Sequence, residues 1–174
     1  RTTLSEKQHT YVPTICSSGE LLLALINDIL DVSKLEAGKI VLESVDIELG
    51  SLCDDVLKMM MPRLKDTPIK TVVRIDPDVP RLVKGDPMRL RQVLVNLVSN
   101  SVKFTKAGEI TIAIRSVRQE SPRPGYAVLE IHVIDTGIGV PADKKDIIFS
   151  PFTQSDESTT RQFGGTGLGL TICK

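Results

Sequence analysis

Through "ICSSGELLLALINDILDVSKLEAG" apolar residues recur at three and four: Ile15, Leu22, Leu25, Ile26, Ile29, Val32 and Leu35. That spacing predicts a helix over residues 5–37, with Gly38 as its C-cap. Leu21 and Leu23 widen the stripe beyond one face, so the helix is expected to pack on more than one partner. Pro13 sits early in it, where a kink or a late start is expected. Next, "KIVLESVDIEL" holds short strand-like pieces. "GSLCDDVLKMMMPRLKD" reads as a second helix, with Leu52, Val56, Met59 and Met60 on one side. Those methionines read as buried core before they read as a sticky surface. "IKTVVRID" is a strand that "PDVP" closes. The break near Gly38 divides the chain into a helical segment, 1–39, and a mixed unit, 40–174.

"GDPMRLRQVLVNLVSNSVKF" is the best-marked helix. Asp86 can N-cap it, and Pro87 suits its first turn. "GEITIAIRSV" and "YAVLEIHVID" then alternate as two strands joined by "RQESPRPG". From Thr136 the chain is mostly turn and loop until "GLGLTICK", which can open a further helix. There is no internal repeat.

On a helical wheel Arg89, Gln92, Asn96, Asn100 and Lys103 share one face, and nearly everything else in the helix is apolar. A solvated stripe would explain this, but such stripes usually carry Glu and Lys. Two asparagines at i and i+4 are mediocre helix formers. They are good neutral oxygen ligands for a hard cation that phosphates also hold. Lys103, one turn on, can meet a phosphate. Asp135 follows an apolar strand and precedes Gly137 and Gly139. A carboxylate there can accept from an exocyclic amine while the glycines let a flat ring approach. An ordinary tight turn explains those residues equally well. "FGGTGLGL" would let backbone N–H groups pass close to phosphates. It is neither a Walker A loop nor a dinucleotide fingerprint. Leu168, Leu170 and Ile172 argue against a plain linker.

Composition narrows the field. The 174 residues are 41% apolar and 25% charged, which suits one or two globular domains. Lys plus Arg and Asp plus Glu both number 22, so no basic footprint points to nucleic acid or a membrane surface. No apolar run is long enough to span a bilayer, and the polar start is no signal peptide. A start without Met reads as a piece of something longer. Cys16, Cys53 and Cys173 are scattered, which suits reduced thiols in a cytoplasmic protein rather than disulfides or zinc. Aromatics are 3% and Trp is absent, so the core is aliphatic and base-stacking platforms are not expected.

Taken together, "RQVLVNLVSNSVKFT", "IDTGIGVP" and "FSPFTQSDESTTRQFGGTGLGLTI" resemble the N, G1, F and G2 boxes of sensor histidine kinases. "SSGELLLALINDILDVSKLEAGK" resembles the second helix of their dimerization domain. The F-to-G2 wording is similar to the hybrid type, which carries receiver domains. The resemblance covers almost the whole chain. It implies an α+β fold, a two-layer α/β sandwich with a mixed, mostly antiparallel sheet (the GHKL, or Bergerat, ATP-binding fold), after a dimerization helix.

It also implies roles. Asp135 would hold the adenine amine, with Gly137 and Gly139 in its turn. Asn100, helped by Asn96, would hold Mg²⁺. Lys103 would meet phosphate, and Phe104 would line the base pocket. Gly165, Thr166, Gly167, Leu168 and Gly169 would wrap the phosphates of ATP, with Arg161 and Gln162 as weaker matches. Residues 141–165 would form a lid anchored by Phe149 and Phe152. The reaction implied is transfer of the ATP γ-phosphate to a histidine, for relay to a receiver aspartate, in a homodimer. The family's phosphoacceptor stands in a His-Glu or His-Asp sequence followed by Arg-Thr-Pro-Leu. Neither His9, expected in the polar segment ahead of the stretch that resembles the family's second helix, nor His132, expected as a surface or half-buried strand residue, has that context. No catalytic residue is therefore expected in this chain. The family also continues past "GLGLTIC". Two alternatives remain. One is an ATPase of the gyrase, Hsp90 and MutL type, which places a water-activating glutamate where this chain has Asn96. The other is a nucleotide-binding or dimerization module without catalysis.

Overall fold

A computed structural model of the chain describes residues 5–117, 125–145, 147–150, 167 and 169–173. The first helix, α1, spans Glu6–Glu36. Ser5 starts it with a capping box: its side chain accepts from the Gln8 N–H, and Gln8 Oε1 accepts from the Ser5 N–H at 2.8 Å. Because that box fixes the start upstream of Pro13, the helix runs through the proline and does not begin late. The backbone of His9 accordingly lies inside α1. At the other end Gly38 adopts φ +62°, its N–H donates to Leu35 O, and the Lys39 N–H donates to Lys34 O. This is a Schellman stop, in which glycine tolerates the left-handed turn at no steric cost. Ile15, Leu22, Leu23 and Ile26 stay exposed along α1.

Then follow β1 (Val45–Glu48), α2 (Leu49–Leu64), β2 (Ile69–Ile75), β3 (Leu82–Gly85), α3 (Pro87–Phe104), β4 (Gly108–Ser116) and β5 (Leu129–Asp135). A single 3₁₀ turn (Ala142–Lys144) and a short helix, α4 (Gly169–Ile172), complete the described elements. β2 pairs parallel with β4, Ile69 opposite Gly108, and β4 pairs antiparallel with β5, Ala113 opposite His132. This three-stranded sheet is mixed, and the antiparallel β1–β3 pair stands apart from it. β3 is too short to declare itself in the sequence; it becomes a strand by pairing with β1, Val45 opposite Gly85.

Helices α2 and α3 cover the sheet. The core joins Leu52, Val56 and Met60 of α2, Leu94 and Val98 of α3, and Ile110, Ile112 and Ile114 of β4. Those three isoleucines alternate along β4 and share its helix-facing side. On α2 the buried seam runs Leu49, Leu52, Cys53, Val56, Leu57, Met60 and Leu64. Met59 falls at the edge of that seam and is 55% exposed, contrary to the expectation that it packs with Met60. His132 is exposed on β5, 3.1 Å from Glu130, as its strand setting suggests. Among the described residues no helix is long and apolar enough to cross a membrane.

Candidate functional site

Helix α3 is anchored before its polar stripe begins. Asp86 Oδ1 accepts from the Arg89 N–H at 3.0 Å, and Oδ2 accepts from the Glu43 N–H at 3.2 Å. These bonds hold the Asp86 carboxyl below the usual carboxylate range. One side chain thus caps α3 and ties down the segment that leads from α1.

The stripe then divides into three uses. At its start, Arg89 Nη1 lies 2.9 Å from Asp31 Oδ2 on α1, and Gln92 Nε2 donates to the same oxygen at 2.7 Å. Arg89 also donates to Gln92 Oε1 at 2.8 Å. Burial alone would raise the Asp31 carboxyl. The bonds from Gln92 and Arg89, with the Arg89 charge, outweigh it and hold the group low. In the middle, Asn96 Nδ2 donates to Gly169 O at 3.1 Å. A Cβ added at Gly169 would lie 3.4 Å from Asn96 Cγ, so α4 packs directly on this amide. Cys173 shares the same carbonyl, donating at 3.2 Å, and burial pushes its thiol up. At the end, Asn100 and Lys103 are half-buried, and Lys103 Nζ sits 5.0 Å from the centre of the Phe104 ring.

Asp135 ends β5 beside that last turn of α3. Its Oδ1 accepts from the Gly137 N–H at 2.9 Å, and its Oδ2 accepts from Ser101 Oγ at 3.0 Å. Ser101, only 5% exposed, is a residue of this corner that the polar stripe does not include. Its signal is a lone small polar residue directly after Asn100, on a face otherwise apolar. Gly137 is required by close approach. A Cβ there would meet Phe104 O at 2.6 Å, Asp135 Oδ1 at 2.8 Å and Thr105 Oγ1 at 2.9 Å. Gly139 is required by conformation instead: φ is +71°, and the space around it is open. Thr105 is 4% exposed, and its hydroxyl has no hydrogen-bond partner among the described residues.

The structure therefore brings Asn100, Lys103, Phe104, Asp135 and Gly137 to one end of α3. Asn96 joins Gly169 on the neighbouring turn, and Gly167 adopts φ +69°. Phe152, Arg161, Gln162, Gly165, Thr166 and Leu168 lie outside the described residues. So does most of the expected lid; Phe149 within it is 37% exposed.

These groups fit a purine nucleotide. The carboxylate is pinned by two donors yet keeps lone pairs for a third. Gly137 leaves no side chain in the corner formed by Phe104 O, Asp135 Oδ1 and Thr105 Oγ1, so the turn can lie close against the end of α3. Among the described residues no three His, Cys, Asp or Glu side chains cluster as a metal site. A divalent cation here would draw on neutral amide oxygens and on phosphates.

Residues 85–174 match the family described as histidine kinase-, DNA gyrase B-, and HSP90-like ATPase. The chain is 45% identical over 177 residues to hybrid signal transduction histidine kinase A of Dictyostelium discoideum, covering 99% of itself and 8% of that relative. It is 41% identical over 172 residues to the signal transduction histidine-protein kinase BarA of Escherichia coli strain K12, covering 99% of itself and 18% of that relative. The chain is thus a small part of the length of the curated relatives it matches. Full-length ShkA in complex with AMPPNP superposes with a TM-score of 0.78 at 33% identity, over 98% of this chain and 34% of that one. Histidine kinase ThkA in complex with the response regulator protein TrrA gives 0.60 at 25% identity, over 88% and 42%.

Proposed function

The chain belongs to the histidine kinase-, DNA gyrase B-, and HSP90-like ATPase family, and we propose that it is the ATP-binding catalytic region of a two-component sensor histidine kinase. On this reading it transfers the ATP γ-phosphate to a histidine borne on a helix outside this sequence, for relay to a receiver aspartate. The observation that carries it is the pinned Asp135 carboxylate beside Asn100 and Lys103: a base-reading acceptor and phosphate-side groups on one helix end. The similarity to ShkA, whose structure holds AMPPNP, and to ThkA, whose structure holds a response regulator, supports the same reading.

ATP, when bound, supplies the transferable phosphoryl group. The chain's part is to bind and orient it, which is most of what such a transfer asks of a protein. Asp135 takes the adenine amine, and Phe104 lines the base. Asn100, with Asn96 behind it, offers neutral oxygens to Mg²⁺. Lys103 offsets phosphate charge, and the glycines through Gly169 give backbone N–H groups room to approach. Asn96 also bears on the ATPase alternative. An amide cannot act as general base, and here it is committed to the Gly169 carbonyl.

Residues 1–39 are the end of the dimerization domain and 40–174 the catalytic domain. The Schellman stop at Gly38 and the shared core from β1 onward support that division. The exposed apolar stripe of α1 supports a homodimer. A cytoplasmic location is consistent with the three free thiols. The test is incubation of the full-length protein with γ-labelled Mg-ATP. An acid-labile, base-stable label on a histidine is expected. Fast hydrolysis with no such label would favour the ATPase, and absence of nucleotide binding would reject both.

A further inference from the structure

We propose that Asp31, Arg89 and Gln92 form an autoinhibitory latch. While closed, it holds α1 across the phosphate side of the site, and it must open before an acceptor histidine reaches the nucleotide. The latch rests on the phosphotransfer reading given above and adds to it a control that is separate from ATP affinity.

The attachment of α1 is polar where the rest of the fold is apolar. Among the described residues no α1 side chain joins the core. Leu30 of α1 and Met88 of α3, which line the cleft at the clasp, are 50% and 69% exposed. What holds is Asp31, whose Oδ2 takes both Arg89 Nη1 and Gln92 Nε2. Polar contacts between units of one chain are those at which the units move.

A hinge lies next to the latch. α1 stops at the left-handed Gly38, and residues 39–44 form neither helix nor strand; Val41 among them is 90% exposed. The far end of that link is fixed, because the Glu43 N–H donates to Asp86 Oδ2. Asp31 and Glu43 therefore attach to the same end of α3 from either side of the link. Breaking the Asp31 bonds frees α1 to turn about Gly38 while the Asp86 tether and the core stay intact.

The latch bears on transfer through Asn96. Between the two helices runs a groove of about 450 Å³, walled by Asn27, Leu30 and Lys34 of α1 and by Met88, Val95 and Asn96 of α3. Asn96 is the amide that holds Gly169 O, and α4 touches α1 as well as α3. The start of α4, where the glycines meant for the phosphates end, thus lies against α1. Three turns of helix with a diameter of about 10 Å displace roughly 1,300 Å³. The groove is too small to admit a helix that carries an acceptor, so α1 has to swing away first.

The experiment uses the full-length protein and reads two quantities: the initial rate of histidine labelling at saturating γ-labelled Mg-ATP, and the dissociation constant of ATP. Asp31→Asn should raise the rate about fivefold, the shift in open population expected when a mostly buried ion pair is lost, and leave the constant within about twofold. Arg89→Asp should do the same. Asp31→Arg combined with Arg89→Asp should return toward the wild-type rate, because the pair is remade with its charges exchanged. Gln92→Ala removes only a neutral donor and should give a smaller rise; it decides the matter if the charge variants do not fold. A clasp that merely props the fold would lower the melting temperature and leave the rate unchanged or reduced, and that result overturns the latch. So does a rise that the charge exchange fails to reverse. If wild type neither binds ATP nor labels a histidine, the underlying reading falls instead.

Discussion

Asp31 Oδ2 receives both Arg89 Nη1, at 2.9 Å, and Gln92 Nε2, at 2.7 Å, so one carboxylate on α1 holds the first turn of α3. Both charged side chains are mostly buried, at 15% and 29% exposed, and the pair is worth more than a surface ion pair. Asp31→Asn should cost on the order of 1 kcal/mol and lower the melting temperature by a few degrees.

The pH dependence has a definite sign. The Asp31 carboxyl is held below its unfolded value. Its contribution is therefore present above that value, about 3.9, and fades as pH falls through the lower folded value. Acid denaturation curves of wild type and Asp31→Asn should converge below about pH 4. Parallel curves down to the acid limit would mean that the clasp contributes nothing.

Ser101→Ala removes one of the two donors that pin Asp135. Nucleotide affinity should fall about fivefold, the worth of a hydrogen bond to a charged group partly replaced by water. Isothermal calorimetry with ATP reads this directly. Unchanged affinity would show that Gly137 alone orients the carboxylate.

Gly137 and Gly139 should respond differently to alanine. At Gly137 the new Cβ meets two backbone or carboxylate oxygens under 3.0 Å, so the turn must move and ATP binding should be lost. At Gly139 there is room, and only the left-handed conformation is penalised, at roughly 1 kcal/mol. Equal effects in a binding assay would contradict the close packing around Gly137.

Asn100→Ala should weaken Mg-ATP much more than metal-free ATP, because the proposed role of its oxygen is toward the cation. Titrations with and without Mg²⁺ give the comparison. Equal losses in both would remove Asn100 from the metal site.

Cys53 is fully buried on α2, and burial, then Asp54 and Glu48, push its thiol up to about 11. The folded state thus holds this proton more tightly than the unfolded chain. The resulting stability is full below about pH 8.5 and is lost as pH rises through about 11. Thiolate absorbance should rise for Cys53 only in that upper range. A disulfide reagent at neutral pH should label exposed Cys16 first and Cys53 last.

What could be read from the sequence follows a physical line. Helix α3 was legible in full because its cap, its first-turn proline and its stripe are all local signals. The roles proposed for Asn100 and Asp135 rest on local pattern of the same kind, a polar stripe and a glycine turn after a strand. Ser101 is not legible there because its meaning is tertiary. A serine near a helix end looks like an ordinary capping residue until β5 brings Asp135 against it from 34 residues away. β3 failed for a similar reason, since four residues mean little without β1. Met59 was misplaced because a wheel gives the angle of a residue but not the width of the groove that receives the helix.

The matched family segment starts at Gly85, yet the apolar interior does not. Leu94, Val98 and the β4 isoleucines pack against Leu52, Val56 and Met60, which lie upstream of that boundary. Dissection at the edge of that matched segment would therefore saw through the interior, exposing its remaining apolar face to water and to proteases. The smallest autonomous piece has to begin no later than β1, and stepwise N-terminal trimming should show cooperative unfolding vanish abruptly once α2 is breached rather than decline in proportion to length.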